Sequence, residues 1–140
     1  MGIPGAGKST FCKKCLTDYG RINLDTLGTR KKEKVEFEEL MKIGKNIVID
    51  NTNCKNEDRA RYIPDAKKQS YKIVGYYFPP DFNTCIKRNN RRRGKRRVPE
   101  LVVMKFDFWL RENKPSFDEG FDELYIVNND DKDFQIVEFE

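Results

Sequence analysis

The sequence contains no histidine and only four cysteines, at positions 12, 15, 54 and 85. Cys12 and Cys15 form a CxxC pair inside a predicted helix, but no second closely spaced pair and no histidine could complete a zinc site. No secretory context accompanies the cysteines, which favours reduced thiols over a disulfide framework. A metal or redox function for the CxxC pair is therefore not predicted.

Long apolar runs are also missing. No stretch approaches the roughly 20 apolar residues that span a bilayer, and the first residues lack the order of a signal peptide. We therefore expect an intracellular protein, cytoplasmic or nuclear, without a membrane partner. With 140 residues, 37% hydrophobic and 36% charged, the chain has the length and composition of one globular domain, residues 1–140.

Acidic residues are absent from the segment 87–97, which holds eight of the 28 lysines and arginines. The rest of the chain carries 20 basic and 23 acidic side chains, so this segment supplies the whole positive excess behind the net charge of +5. A polyanion would meet this segment first. Because it contains Gly94 and ends before Pro99, we predict a loop between two helices, a basic lid at residues 87–98. A localisation signal and a solvated basic loop are the alternatives.

Short β-rich runs alternate with helical stretches, a pattern typical of a parallel sheet flanked by helices, so the predicted fold class is α/β. Strands are predicted at residues 21–24, 46–50, 72–78, 124–127 and 134–139, which are rich in Ile, Val, Tyr and Phe. Helices are predicted at residues 9–18, 31–43, 56–69, 82–90 and 99–112.

The run MGIPGAGKST at the start of the chain fits the phosphate-loop motif GxxxxGK[ST]. The motif residues are Gly2, Gly5, Gly7, Lys8 and Ser9. Glycines let successive backbone N–H groups point at phosphate oxygens, and a helix that begins here adds the positive end of its dipole. The backbone of Gly5, Ala6 and Gly7 is therefore predicted to bind the phosphates of ATP.

The side chains that follow complete the predicted nucleotide site. We expect Lys8 to bridge the β- and γ-phosphates, Ser9 to ligate Mg²⁺, and Thr10 to reach the α-phosphate. The motif predicts a three-layer P-loop fold, in which a central strand normally precedes the loop. The motif begins at residue 2, so this first strand is expected to be missing from the sequence.

Two aspartates follow predicted strands, at the sheet edge where α/β proteins bind ligands. Asp25, in RINLDTLG, is suited to be the general base that accepts a proton from an alcohol, although an aspartate here could instead cap a helix. Asp50 opens DNTN and could hold water on Mg²⁺ or fix the substrate.

Arg59 and Arg61 lie two residues apart on the next predicted helix, so at most one faces the site; Arg59 is expected on the solvated surface.

With these motifs, the chain resembles the kinase domain of polynucleotide kinases, of both the phage type and the animal polynucleotide kinase-phosphatases, within the P-loop kinase superfamily. GIPGAGKSTF resembles the phosphate loop of that family, INLDTLG its catalytic aspartate segment, and DNTN with RARYI its substrate-side segment. KRNNRRRGKRRVPE is similar to the phage lid, and FDEGFDEL to the terminal segment of the animal kinases. The resemblance covers nearly the whole chain.

The resemblance implies transfer of the γ-phosphate of ATP, with Mg²⁺, to the 5′-hydroxyl end of DNA or RNA. It implies that Asp25 is the general base, and that Asp50 and Arg61 lie near the acceptor nucleotide. Contacts from the lid would come from Arg88 and from Arg92 or Arg93. With Lys8, arginines in such a lid would stabilise the charge of the transferring phosphoryl group, and they could also neutralise a nucleic-acid backbone.

The chain departs from the family pattern at one position, because Leu24 stands where the family usually has an arginine directly before the catalytic aspartate. Arg30 could compensate for it. No DxDxT nucleophile motif occurs, so no phosphatase activity is predicted. Two alternatives to the polynucleotide kinase remain: a P-loop kinase of a small-molecule alcohol, and a catalytically silent module that binds nucleotide or nucleic acid.

Overall fold

Strands and helices alternate along the chain, as the pattern of β-rich and helical runs predicts. The computed structural model describes all 140 residues, and their contacts divide into a small unit, residues 8–51, and a large unit, residues 1–7 and 52–140. All five predicted strands form, and the α/β class is confirmed. No helix combines the length and the apolar composition needed to cross a membrane.

The small unit contains two strands and three helices. In chain order its elements are α1 (Lys8–Cys15), β1 (Gly20–Ile22), α2 (Leu24–Leu27), α3 (Arg30–Lys42) and β2 (Ile47–Ile49). Strands β1 and β2 are parallel, with Ile22 opposite Ile49. Because β1 and β2 are parallel, their carboxyl ends lie at one edge of the sheet. Helix α3 begins after Thr29, whose hydroxyl accepts a hydrogen bond from the N–H of Lys32 at 3.2 Å.

The large unit contains the remaining three strands and four helices. Its elements are α4 (Asn56–Ala60), α5 (Ile63–Lys68), β3 (Val74–Tyr77), α6 (Phe82–Asn90), α7 (Glu100–Glu112), β4 (Glu123–Asn129) and β5 (Phe134–Glu138), with 3₁₀ turns at Gly94–Arg96 and Phe117–Glu119. The sheet order is β3-β4-β5. Its core includes Phe78, Cys85, Val103, Leu110 and Val127, all at most 3% exposed.

The predicted parallel pairing is confirmed for β1 with β2 and for β3 with β4, but not for β5. Strands β3 and β4 are parallel, but β5 runs antiparallel to β4, with Asn129 opposite Phe134. Only residues 130–133 connect the two strands, and a parallel crossover needs a dozen or more residues. This short polar connection forces a hairpin.

The single helix predicted at residues 56–69 is also wrong, because two helices form there. Helix α4 ends at Ala60, and α5 begins at Ile63 with a proline in its first turn. In a continuous helix the ring of Pro64 would clash with the carbonyl of Ala60, four residues earlier. Helix α2, which was not predicted, spans only four residues and is too short to show a hydrophobic period.

The residues before the phosphate loop pair with strand β3 of the large unit. The backbone nitrogen of Met1 donates to the carbonyl of Tyr76 at 2.7 Å, and the N–H of Phe78 donates to the carbonyl of Met1 at 2.9 Å. This alternation is that of a parallel ladder. The N–H of Gly2 donates to the carbonyl of Thr52 at 3.0 Å. The expected absence of a first strand is thus not confirmed, although residues 1–3 form no strand themselves.

Candidate functional site

The phosphate loop has backbone angles that favour glycine at two of its motif positions. Gly5 has φ +88° and Gly7 has φ +99°. A Cβ on Gly5 would lie 2.4 Å from the carbonyl oxygen of Cys85, and one on Gly7 would lie 2.3 Å from Nδ2 of Asn129. Both backbone conformations favour glycine, and at Gly5 the close approach of a backbone oxygen also excludes a side chain. Helix α1 begins at Lys8, directly after this turn.

Arg88 contacts the loop within the large unit. Its Nη1 donates to the carbonyl of Gly5 at 3.2 Å, and its Nη2 donates to the carbonyl of Asn129 at 3.2 Å. Its Nε donates to the carboxylate of Asp131 at 2.9 Å. The guanidinium is largely buried, whereas the Asp131 side chain is 69% exposed. The structure thus brings Arg88 together with the first part of the phosphate loop.

The segment predicted as a basic lid begins inside α6, with residues 87–90, and continues between α6 and α7, where hydrogen bonds join its two ends. The buried side chain of Asn89 donates from Nδ2 to the carbonyl of Val98 at 2.7 Å, and its Oδ1 accepts from the N–H of Val98 at 3.0 Å. These bonds close the segment between α6 and α7. Within it Arg92 is half-buried, and Arg93 is exposed before the 3₁₀ turn.

A cleft of about 250 Å³ opens beside Ala6 in the large unit. Phe78, Pro79, Pro80 and Val127 form its apolar walls. Its polar lining includes Asp81, Thr84, Arg88, Asn128, Asn129 and Asp130. The cleft therefore combines apolar surface with several hydrogen-bonding groups.

Asp50 lies at the carboxyl end of β2 in the small unit, and it is almost fully buried. Nε of Arg21 donates to its Oδ2 at 2.7 Å, and Nη2 of Arg21 also lies 2.7 Å from Oδ2 and 3.4 Å from Oγ of Ser9. Arg21 therefore links Asp50 to Ser9. The exposed Ser9 hydroxyl is a hard oxygen of the kind that Mg²⁺ prefers, whereas the Asp50 carboxylate is buried and paired with Arg21.

The Cys12 thiol lies in the same part of the small unit. Burial raises its pKa from 9.0 to about 11, and the negative charge of Asp50 adds to the rise. Cys15 is exposed one turn later, so the two thiols of the CxxC pair have different environments.

Asp25 lies in the first turn of α2 and is exposed. The helix cap is Asn23, whose Oδ1 accepts from the N–H of Thr26 at 3.0 Å, so the alternative in which Asp25 itself caps a helix is wrong. Nδ2 of Asn23 donates to the carbonyl of Asp50 at 2.6 Å. This bond ties the start of α2 to the end of β2.

A second tether to α2 comes from Asn51. Its Oδ1 accepts from the N–H of Leu24 at 2.8 Å, and its Nδ2 donates to the buried carboxylate of Glu33 at 2.8 Å. Arg30 pairs with the other oxygen of Glu33 at 2.9 Å. Arg30 is thus bound to a structural carboxylate in its own helix.

Arg59, in α4, and Arg61, just after this helix, have opposite environments. Arg59 is buried, and its prediction as a solvated surface residue is wrong. It binds Glu119 at 2.6 and 2.9 Å and donates to the backbone carbonyls of Asn53 at 3.0 Å and Asn113 at 2.8 Å. Arg61 follows the end of α4 and is exposed.

Four contact residues are not among the predicted site residues: Arg21, Glu33, Asn129 and Asp131. Arg21 carried a weak signal, since it stands in the strand before Asp25. Glu33 pairs with Arg30 in its own helix and with Asn51, 18 residues away. Asn129 is 123 residues from its partner Ala6, and Asp131 is 43 from Arg88, and no local pattern indicates such distant pairs.

Comparison with known families decides the classification. The family model described as AAA domain matches residues 33–112, more than half of the chain. The chain belongs to the AAA domain family, within the P-loop superfamily. The match begins after the phosphate loop, so the loop motif supports the same classification independently.

Two curated relatives confirm the resemblance of this AAA domain to polynucleotide kinases. A protein of Acanthamoeba polyphaga mimivirus, provisionally named a bifunctional polynucleotide phosphatase/kinase, is 31% identical over an alignment of 134 residues that covers 91% of this chain and 32% of that protein. The bifunctional polynucleotide phosphatase/kinase of Schizosaccharomyces pombe is 30% identical over an alignment of 127 residues that covers 86% of this chain and 30% of that protein. The chain spans about a third of the length of these relatives.

Proposed function

We propose that this chain transfers the γ-phosphate of ATP to the 5′-hydroxyl end of DNA or RNA. The observation that carries the proposal is the phosphate loop, whose two glycines have the positive φ angles and tight packing described above. The named kinase activity of the two relatives supports a nucleic-acid acceptor. A three-layer P-loop domain at residues 1–140 with a basic lid at residues 87–98 is the architecture that this function requires.

The phosphate loop would hold the nucleotide. Backbone N–H groups of Gly5 and Gly7 would bind phosphate oxygens, and Lys8 would bridge the β- and γ-phosphates. The N–H of Ala6 donates to the carbonyl of Ile3 at 3.2 Å, so Ala6 would instead hold the turn of the loop. Thr10 would reach the α-phosphate. The cleft beside Ala6 suits the nucleoside part of ATP, because its proline and phenylalanine walls could pack against a base.

Ser9 would bind Mg²⁺ through its hydroxyl. When bound, Mg²⁺ would neutralise the charge on the phosphate oxygens. Asp50, linked to Ser9 through Arg21, would accept a hydrogen bond from water on the ion. Arg88, Arg92 and Arg93 would stabilise the charge of the transferring group from the lid.

Asp25 would act as the general base. The acceptor 5′-oxygen forms a bond to the γ-phosphorus while the bond from phosphorus to the oxygen of ADP breaks, and the hydroxyl proton passes to the Asp25 carboxylate. The exposed position of Asp25 supports this role, because an acceptor can reach it. Arg61, exposed after α4, would bind the acceptor nucleotide.

The test is transfer of γ-labelled phosphate from ATP, with Mg²⁺, to 5′-hydroxyl DNA and RNA oligonucleotides. Asp25→Asn and Lys8→Ala should each lower the rate by about 100-fold or more. Asp18→Asn and Lys13→Ala are matched controls, because both side chains are exposed and belong to the same unit. Both controls should retain the wild-type rate.

The other outcomes separate the alternatives. Label that appears on a small alcohol and not on any oligonucleotide would establish the small-molecule kinase instead. ATP binding by a folded protein without transfer to any acceptor would indicate a silent binding module. An oligonucleotide that already carries a 5′-phosphate should receive no label, and we expect the chain to release no phosphate from it.

A further inference from the structure

Asn129, the last residue of β4, uses its whole side chain in contacts beside the phosphate loop. Its Nδ2 donates to the carbonyl of Ala6 at 3.1 Å. Its Oδ1 accepts from the N–H of Asp131 at 3.1 Å, which fixes the orientation of the carboxamide. The residue is half-buried, and nothing in the proposed transfer step uses it.

The same carboxamide packs directly against Gly7. A Cβ built on Gly7 would lie 2.3 Å from Nδ2 of Asn129 and 3.5 Å from the ring of Phe134. Asn129 and Phe134 lie opposite each other at the two ends of the β4–β5 hairpin turn. The turn therefore provides a wall against which the loop backbone lies.

The bond from Asn129 to Ala6 determines the direction of a backbone donor. In a trans peptide the carbonyl of one residue and the N–H of the next point in opposite directions. Because the Ala6 carbonyl points at Asn129, the N–H of Gly7 points away from it. The neighbouring carbonyl of Gly5 is bound by Arg88, which also binds the backbone of Asn129, so the loop is held at two successive carbonyls.

We propose that Asn129 is a positioning residue for the phosphate loop: it fixes the Ala6–Gly7 peptide so that the Gly7 N–H is already oriented for a polyphosphate before the ligand binds. The effect on nucleotide binding rests on the proposed function, but the effect on the free loop does not. Preorganised donors bind more tightly because less ordering remains to be done on binding.

The first measurement concerns the ligand-free protein. Amide ¹⁵N relaxation should give high order parameters at Gly5 and Gly7 in the wild type and a clear drop at both in Asn129→Ala, with the rest of the chain unchanged. Asn83→Ala is the matched control, since Asn83 is an exposed asparagine on α6. Unchanged order parameters at Gly5 and Gly7 in Asn129→Ala would overturn the proposal.

The second measurement uses inorganic tripolyphosphate as the probe, in calorimetry. Loss of one hydrogen bond should raise its Kd about tenfold in Asn129→Ala, and at least as much in Asn129→Asp, where a carboxylate oxygen replaces the donor. The KM for ATP should rise similarly, whereas the KM for the oligonucleotide should stay within about twofold. A rise in both KM values would assign Asn129 a merely structural role and overturn the proposal.

The two measurements separate the failure of each idea. If the wild type binds neither tripolyphosphate nor ATP, the proposed function fails, and the relaxation data still decide whether Asn129 orders the loop. If the wild type binds both and Asn129→Ala binds them equally well, the kinase proposal stands and the role of Asn129 is refuted.

Discussion

The guanidinium of Arg21 lies 2.7 Å from the buried carboxylate of Asp50 and 3.4 Å from the hydroxyl of Ser9. The positive charge of Arg21 thus compensates the negative charge of Asp50 at the carboxyl end of β2. A carboxylate with only 1% of its side chain exposed needs such a partner, because the lost hydration must be replaced by hydrogen bonds and opposite charge.

Replacement of Arg21 by Gln should therefore destabilise the protein. We expect a loss of about 2 kcal/mol, less than for a fully buried pair because the Arg21 side chain is 32% exposed. Urea unfolding measures the change. The double variant Arg21→Gln with Asp50→Asn removes both charges and should recover most of the loss; a double variant as unstable as the sum of the single ones would contradict the coupling.

Gly5→Ala should be more harmful than an alanine at another glycine with positive φ. The new methyl group would meet the backbone carbonyl of Cys85 at 2.4 Å, which cannot move like a flexible side chain. Gly44, with φ +66° and open space around it, is the matched control and should cost about 1 kcal/mol from backbone strain alone. We expect Gly5→Ala to cost about 2 kcal/mol more. Equal losses in thermal or urea unfolding would show that packing at Gly5 is unimportant.

Local signals in the sequence predicted much of this structure. Runs of β-branched and aromatic residues gave all five strands, and the motif gave the glycines of the loop. Features that depend on distant partners were not predictable. Arg59 has the sequence context of a surface arginine, but Glu119 lies 60 residues away and buries it. Helix α2, which carries Asp25, depends on contacts from Asn23 and Asn51 more than on its own four residues.

Arg59 and Arg61 should give opposite results when each is replaced by Met. Arg59→Met leaves Glu119 and two backbone carbonyls without their donor, so we expect a loss of about 3 kcal/mol in urea unfolding. Arg61→Met should change stability by less than about 0.5 kcal/mol, because the side chain is exposed. In the transfer assay it should raise the KM for the oligonucleotide. A destabilised Arg61→Met with an unchanged KM would assign Arg61 to the fold and not to the acceptor.

The buried Cys12 thiol should make the protein lose stability in alkali. Its pKa is about 11 in the folded chain and 9.0 in the reference state, so unfolding releases a proton above pH 9. The protonated Cys12 thiol makes its full contribution to the free energy of unfolding below pH 9. As the pH rises through 11, this contribution is lost, and the free energy of unfolding falls by about 2 to 3 kcal/mol. Urea unfolding at pH 8, 9, 10 and 11 should show a shallower alkaline loss in Cys12→Ala than in the wild type. Cys15→Ala, at an exposed position, is the control and should lose stability with pH as the wild type does. If Cys12→Ala also loses stability with pH as steeply as the wild type, the prediction is contradicted.

Asn89 should control how often the basic lid opens. Its buried carboxamide makes two hydrogen bonds to Val98, and these join the ends of a segment with exposed basic residues at 91, 93, 95, 96 and 97. Trypsin cleaves after lysine and arginine but needs a locally opened chain. Without the two bonds, Asn89→Ala should open the lid more often and speed cleavage within residues 91–97 about tenfold.

Cleavage elsewhere in the chain should change far less, which separates local opening from global unfolding. Asn83→Ala, an exposed asparagine on the same helix, should be cut at the wild-type rate. If Asn89→Ala is cut within the lid no faster than the wild type, the lid is held by its other contacts, and the bonds of Asn89 do not limit its opening.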